Sequence, residues 1–172
     1  DDTGSLDETR YTQPAIVALE LAVAGLLRSW GLHADAVLGH SVGEYAAAIF
    51  AGAMTAEAGL PLVAERARLM QALPERGAML AVFTDEARVL RALARHDRVS
   101  LAALNGPRNT VISGARESID AIARELAAEG LESQRLKVSH AFHSPLMQPM
   151  LEAFARVVEG VRLQAPRVSL IS

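Results

Sequence analysis

The chain has 172 residues, of which 51% are hydrophobic, 17 are basic and 20 are acidic, giving a formal net charge of −3. This length and composition are typical of one globular domain, or of one domain with a small inserted lobe. No basic run is present that could follow a phosphate backbone, so we expect no nucleic-acid partner. Cysteine is absent, which excludes disulfides, thiolate metal sites and a cysteine nucleophile.

The longest apolar stretch, residues 15–27, contains Glu20 and is shorter than the roughly 20 apolar residues that a membrane span needs. We therefore predict a buried helix and no membrane association. No charged segment followed by an apolar core opens the chain, so we predict no secretory signal and a cytoplasmic location. The start at Asp1 resembles a cut and not a native beginning.

Cap residues and helical spacing predict three helices and one strand in the first part of the chain. Thr12 is the predicted N-cap of a helix that ends near Trp30, with Pro14 in its first turn. A short apolar strand at 36–38 leads through a glycine-rich turn into a helix at 44–51. A third helix is predicted at 55–73.

The next segment has the order β-α-β-β-α-β, with strands at 78–83, 99–104, 110–113 and 134–138 and helices at 85–95 and 116–128. This is the order of a ferredoxin-like (βαββαβ) unit, so residues 77–138 are predicted as an inserted small subdomain. A loop at 139–144, a helix at 145–158 and a strand at 168–171 follow. Residues 1–76 and 139–172 are predicted as a doubly wound, parallel-sheet, α/β-hydrolase-like large subdomain of the α/β class, incomplete with so few strands.

The segment Gly39-His40-Ser41-Val42-Gly43 matches G-x-S-x-G between a predicted strand and a predicted helix. In so tight a turn, the residues two before and two after the serine are expected to crowd neighbouring backbone, and only glycine leaves room. The pattern predicts that Ser41 is an exposed, strained nucleophile. The N–H of Val42, at the start of the helix, is the natural first donor to an oxyanion.

A serine nucleophile needs a base within hydrogen-bond reach, and the chain has five histidines: His33, His40, His96, His140 and His143. His40 adjoins the serine, but its side chain is expected to leave the turn in another direction. His33 and His96 lie in polar contexts typical of solvated histidines. The last two share the predicted loop, and composition does not choose between them. No carboxylate adjoins that loop in sequence, so a dyad oriented by a backbone carbonyl is an alternative to a Ser-His-Asp triad.

The segment Gly39-His40-Ser41-Val42-Gly43-Glu44-Tyr45-Ala46-Ala47-Ala48 resembles the active-site segment of malonyl-CoA:acyl carrier protein transacylases and of acyltransferase domains in modular type I polyketide synthases. Further segments resemble the family in the expected order: Tyr11-Thr12-Gln13-Pro14-Ala15, Arg66-Ala67-Arg68-Leu69-Met70-Gln71, Gly77-Ala78-Met79 and Val111-Ile112-Ser113-Gly114. The resemblance implies transfer of a malonyl unit from malonyl-CoA, through a seryl ester, to the phosphopantetheine thiol of an acyl carrier protein. It also implies extender-unit selection beside a ketosynthase and other synthase domains, with no bound cofactor and no metal.

The resemblance also implies residue roles in a ping-pong mechanism. Ser41 is acylated, and His143 is the general base and later the acid that protonates the leaving thiolate. Arg66 holds the free carboxylate of the acyl group with a planar, charged fork, although an arginine on a helix more often forms a surface pair, the role expected for Arg68. Further substrate-binding positions are His40, His140, Phe142 and Asn105, the last of which a turn before Gly-Pro explains equally well.

Two local signals in this family imply selection of malonyl-CoA over methylmalonyl-CoA. The loop reads His-Ala-Phe-His, where methylmalonyl-selecting members carry Tyr-Ala-Ser-His, and Val42 follows the serine as in the malonyl group. Phe142 would fill the space that an α-methyl needs, and one methyl in a pocket is worth about 1 to 3 kcal/mol. The family's N-terminal Gly-Gln-Gly segment, source of the second oxyanion donor, and its C-terminal part are absent from the chain, so activity is expected to depend on them.

Three other interpretations remain open from the sequence. A serine esterase or thioesterase shares the same turn and a histidine. A non-catalytic fragment could dock an acidic acyl carrier protein through basic residues such as Arg88, Arg91 and Arg95. A stand-alone transacylase of fatty acid synthesis is the third, although 16 arginines against one lysine favour a polyketide synthase of a GC-rich bacterium.

Overall fold

The computed structural model describes residues 5–172. After a short 3-10 turn, the elements in chain order are α1 (Thr9–Ser29), β1 (Ala36–Leu38), α2 (Gly43–Ala51), α3 (Ala56–Gln71), β2 (Ala78–Val82), α4 (Glu86–Leu93), β3 (Val99–Gly106), β4 (Asn109–Gly114), α5 (Arg116–Ala128), β5 (Ser133–Arg135), α6 (Gln148–Glu159) and β6 (Ser169–Ile171). They form two compact units. The first contains the described residues up to Gln71 together with Glu152–Ser172, and the second is Ala72–Leu151.

In the first unit, α1, α2 and α3 pack around a small apolar core. Each helix contributes one buried residue to the centre, namely Val17, Ala46 and Val63. Strands β1 and β6 pair in parallel, with Val37 opposite Leu170. Parallel strands in α/β proteins are usually covered on both faces, yet Leu38 is 70% exposed in the described residues.

The start of α1 differs from the sequence prediction. The helix begins at Thr9 and its N-cap is Glu8, so the predicted N-cap at Thr12 is wrong. The hydroxyl of Thr12 instead donates to the carbonyls of Leu6 and Glu8, which a threonine inside a first turn can do. Pro14 consequently lies inside the helix, where its missing N–H leaves out one helical hydrogen bond.

The second unit is an antiparallel sheet with strand order β3-β4-β2-β5. Helices α4 and α5 cover one face, and the core there contains Leu80, Val82, Val89, Ile112, Ile119, Ile122 and Leu126. The other face carries Met79, Ala81 and Val111. Because both faces are covered, every residue of β2 is buried. This order and pairing confirm the ferredoxin-like arrangement.

The unit boundaries are wider than the predicted subdomain. Residues 77–138 all lie in the second unit, which also takes in 72–76 and 139–151. The loop at 139–144 is free of regular structure, and a 3-10 turn at Pro145–Met147 precedes α6. Pro149 is near the start of α6, where a proline is tolerated. None of the helices in residues 5–172 is long and apolar enough to cross a membrane.

Candidate active site

Ser41 lies in the turn that joins β1 to α2, and its backbone has a φ of 55°. For a residue other than glycine this left-handed conformation is strained, at a typical cost of about 1 to 3 kcal/mol. Gly39 makes the turn possible, because a Cβ there would lie 2.2 Å from the backbone nitrogen of Glu44 and 2.2 Å from the carbonyl carbon of Gly43. The strand, turn and helix therefore have the backbone geometry of a nucleophile elbow.

The backbone crowding predicted at Gly43 is not observed. A Cβ at Gly43 would lie 3.3 Å from Oε1 of Glu20, a side chain of α1, and not against backbone. Glu20 is exposed, so its carboxylate can move by a few tenths of an ångström. The backbone of the turn thus requires glycine at position 39 but not at position 43.

The start of α2 provides a donor beside the serine. The amide of Gly43 donates to the carbonyl of His40 at 3.0 Å, and that of Glu44 donates to the carbonyl of Ser41 at 3.2 Å. In residues 5–172 no backbone carbonyl accepts from the amide of Val42, the N-cap residue. An amide at a helix N-terminus, in the positive end of the helix dipole, is suited to a developing oxyanion.

Arg66 projects from α3 towards α1 and α2. Its Nη1 donates to Oε1 of Gln13 at 2.5 Å, and its Cζ lies 5.7 Å from the ring centroid of Tyr45. Tyr45 lies in the first turn of α2, so the guanidinium contacts the helix that follows the elbow. Burial lowers the pKa of Arg66, an effect that Tyr45 partly opposes, and the group stays charged at neutral pH. Burial likewise raises the pKa of Tyr45, which the charge of Arg66 counteracts.

The neighbouring arginine has an ordinary surface role. Arg68 donates from Nε and Nη2 to the two carboxylate oxygens of Glu65, at 2.7 and 2.6 Å. Its side chain is 62% exposed, and exposed pairs of this kind contribute little to stability. Within the described part of the chain, Arg66 has no carboxylate in ion-pair range, in contrast to Arg68.

In the second unit, the loop at 139–144 places its two histidines in different environments. His143 is exposed, with a left-handed φ of 59°, and its carbonyl accepts from the hydroxyl of Ser100 at 2.8 Å. His140 is only 1% exposed. Burial lowers the pKa of His140, with a smaller contribution from the charge of Arg76, so His140 is neutral at pH 7. Of the two loop histidines, His143 is the one that is exposed.

The remaining predicted substrate-binding residues are spread over both units. His40 is exposed beside Ser41 in the first unit. Phe142 packs against the face of the small sheet opposite α4 and α5, near Met79 and Ala81, and its ring centroid is 6.1 Å from that of His140. Asn105 is exposed near the end of β3. Ser41, Val42 and Arg66 therefore share the first unit, whereas the histidines of the loop, Phe142 and Asn105 belong to the second.

Three residues near these groups had no role assigned from the sequence: Gln13, Tyr45 and Ser100. Gln13 lies 53 positions from Arg66 and Ser100 lies 43 positions from His143, so no local pattern reports either contact. Tyr45 and Gln13 lie in segments that resemble the family, and this resemblance was the one sequence signal that could have indicated a role for them. Two of the three arginines predicted to dock a carrier protein form ion pairs within the chain, Arg88 with Glu129 and Arg95 with Glu125.

An apolar groove of about 480 Å³ lies between α1, β1 and α2. Its lining includes Leu27, Val37 and Phe50, and it reaches Gly39 and His40 at one end. Neither Ser41 nor Arg66 lines it, so it is not the pocket in which the proposed chemistry would take place. Among residues 5–172, no group of three or more histidine, cysteine, aspartate or glutamate side chains is arranged to hold a metal ion.

Comparison with known proteins gives a consistent family match. The family model of the acyl transferase domain matches residues 1–172. The chain is 50% identical over 170 residues to polyketide synthase GfsA of Streptomyces halstedii, and 49% identical over 171 residues to phenolphthiocerol synthesis polyketide synthase type I Pks15/1 of Mycobacterium marinum. These alignments cover 98% and 99% of this chain but 2% and 8% of those proteins.

Solved structures agree with this match. The acyltransferase domain from the second module of the salinomycin polyketide synthase has a TM-score of 0.95 and 48% identity, over 99% of this chain and 41% of that one. The acyltransferase domain of phenolphthiocerol/phtiocerol synthase A from Mycobacterium bovis has a TM-score of 0.90 and 33% identity, over 95% of this chain and 62% of that one. The chain thus spans less than two thirds of each of these structures.

Proposed function

This chain belongs to the acyl transferase domain family, and from that premise we propose that it transfers a malonyl unit from malonyl-CoA to the phosphopantetheine thiol of an acyl carrier protein. The relatives above are polyketide synthases. In this proposal the chain is part of a longer synthase, selects the extender unit, and works beside ketosynthase and carrier protein domains. It needs no metal and no cofactor of its own.

The proposed reaction has two half-reactions that use the same groups. His143 accepts the hydroxyl proton of Ser41 as its oxygen attacks the thioester carbonyl of malonyl-CoA. The tetrahedral oxyanion is stabilised by the amide of Val42. Collapse breaks the carbon–sulfur bond, and the thiolate of CoA leaves with the proton from His143. The carrier thiol then attacks the seryl ester in the same way, which releases Ser41.

The observation that carries the malonyl assignment is the environment of Arg66. Its guanidinium is partly buried, with a neutral amide and the aromatic ring of Tyr45, a residue of the first turn of α2, as its neighbours. A charge withdrawn from water without an ionic partner is costly. A malonyl carboxylate would supply that partner, and the planar fork of arginine matches the two carboxylate oxygens. Such an anchor also argues against a hydrolase, because it fixes an acyl group that an esterase has no need to recognise.

The preference for malonyl over methylmalonyl is proposed to depend on Phe142. Its ring is held by the sheet residues behind it, so it cannot easily withdraw from an added α-methyl. Exclusion of one methyl group is worth about 1 to 3 kcal/mol, or roughly 10- to 200-fold in rate. We therefore expect a clear but incomplete preference.

The proposal is tested by incubating the acyltransferase, expressed with its flanking sequence, with malonyl-CoA or methylmalonyl-CoA and recording the intact mass. We expect a malonyl adduct on the wild type that is absent from Ser41→Ala. Ser29→Ala, which changes an exposed serine of α1, is the matched control and should retain the adduct. A folded protein that forms no adduct with either thioester would contradict the proposed transfer.

A further inference from the structure

The structure points to Gln13 as a positioning residue for Arg66. We propose that Gln13 holds the guanidinium so that its remaining N–H donors face the carboxylate of the acyl group, and that this contact sets the preference for acyl groups that carry a carboxylate. The inference rests on the proposed function, because it assumes that Arg66 binds that carboxylate.

Gln13 is fixed on both sides of its amide. The side chain is only 6% exposed, its Oε1 accepts from Nη1 of Arg66 at 2.5 Å, and its Nε2 faces Sδ of Met70 at 3.1 Å. A guanidinium has donors only, so the amide oxygen must be the atom that faces it. Met70 follows Arg66 by four residues on α3, and therefore lies on the same face of that helix. The two contacts leave the amide one orientation.

Tyr45 restrains the same guanidinium from another helix. Its ring centroid lies 5.7 Å from Cζ of Arg66, within the range of a cation–π contact. Gln13 on α1 thus holds one terminal nitrogen, while Tyr45 on α2 lies against the group. An arginine side chain has many rotamers, and restraint of this kind reduces the entropy lost when a ligand binds. The contacts consequently prepare Arg66 for its ligand.

A neutral partner is essential to this role. Glutamine accepts a hydrogen bond without adding a negative charge, so the full charge of Arg66 and most of its five N–H donors remain for a substrate. Arg68 shows the alternative, since Glu65 uses its charge and two of its donors. A carboxylate at position 13 would keep the geometry but neutralise the site.

The experiment measures initial rates of Ser41 acylation by malonyl-CoA and by acetyl-CoA, which lacks the carboxylate, in the acyltransferase with its flanking sequence. The readout is the ratio of the two rates. For Gln13→Met we expect the ratio to fall about tenfold, the effect of one hydrogen bond to a charged group, with the acetyl rate unchanged. Gln13→Glu should lower the ratio further. Gln71→Met is the matched control, because Gln71 contacts the backbone of Arg10 and not Arg66.

Arg66→Ala separates this inference from the proposed function. If Arg66→Ala abolishes the preference for malonyl and Gln13→Met has no further effect in that background, the positioning role is supported. If Arg66→Ala abolishes the preference but Gln13→Met leaves the ratio unchanged, or lowers both rates equally, only the positioning role is overturned. If Arg66→Ala leaves the ratio unchanged, carboxylate recognition by Arg66 fails and the inference fails with it. Should Gln13→Met not fold, the shorter amide of Gln13→Asn provides the same test.

Discussion

Substitution of Gly39 by alanine should disrupt the elbow far more than the same change at Gly43. A Cβ at Gly39 would lie 2.2 Å from the nitrogen of Glu44 and 2.4 Å from the carbonyl oxygen of Gly43. Ordinary van der Waals contact begins near 3.5 Å, so the start of α2 would have to move by more than 1 Å. Backbone atoms cannot rotate away as side-chain atoms can. We therefore expect a loss of about 3 kcal/mol, the upper part of the usual range for overpacking.

The assay is a thermal melt combined with acylation of Ser41 by malonyl-CoA. A loss of this size should lower Tm by roughly 6 to 12 °C in a domain of this length, and the displaced turn should abolish the adduct. Gly43→Ala is the matched control, because its Cβ meets only the movable carboxylate of Glu20 at 3.3 Å. We expect it to change stability by less than about 1 kcal/mol, since alanine also favours the helix. Equal tolerance of the two substitutions would refute this account of the elbow.

Three further predictions concern the second unit. Ser100→Ala removes the hydroxyl that donates to the carbonyl of His143. It should slow malonyl and acetyl transfer equally, by about fivefold for the loss of roughly 1 kcal/mol. Ser118→Ala removes a similar hydrogen bond to the carbonyl of Asp97 and should leave both rates unchanged. Burial lowers the pKa of His140 below 6.5, so the unfolded chain binds the proton more readily than the folded chain. The free energy of unfolding, measured in urea, should therefore be highest above about pH 6.5 and decrease below it. A His140→Gln variant whose free energy of unfolding decreases equally between pH 7 and 5 would contradict this. Leu126→Ala, at a fully buried position, should cost about 2 to 5 kcal/mol in urea unfolding, and a loss below 1 kcal/mol would contradict the packing described.

The elements and their order were predictable because their signals are local. The elbow, the strand before it and the helix after it follow from the spacing of Gly39, Ser41 and Gly43, and the alternation of strands and helices in 78–135 gives the ferredoxin-like order. Thr12 shows the limit of such signals. A threonine before an apolar run predicts an N-cap, but the helix begins at Thr9, because Glu8 has the extended backbone of an N-cap and its carbonyl accepts from the amides of Tyr11 and Thr12.

The candidate site was predictable only in part, because several of its contacts join residues that are distant in sequence. Composition could not choose between the two loop histidines, for which only the family resemblance favoured His143. Burial distinguishes them, because His140 is enclosed by the small unit, whereas His143 is exposed. The sequence also assigned no role to Gln13 of α1, because its contact with Arg66 forms only when α1 and α3 pack together. Contacts of this type depend on the tertiary fold, which periodicity and spacing do not encode.

The arginines of the described chain show why the charge of Arg66 is available to a ligand. In residues 5–172 all arginines are exposed except Arg66 and Arg88. Arg88 receives the carboxylate of Glu129, the usual solution for a guanidinium withdrawn from water. Arg66 is given the amide of Gln13 instead, which satisfies one donor and leaves the charge uncompensated. A stabilising role alone would favour a carboxylate at that position, so the neutral partner supports the proposal that the anion arrives with the substrate.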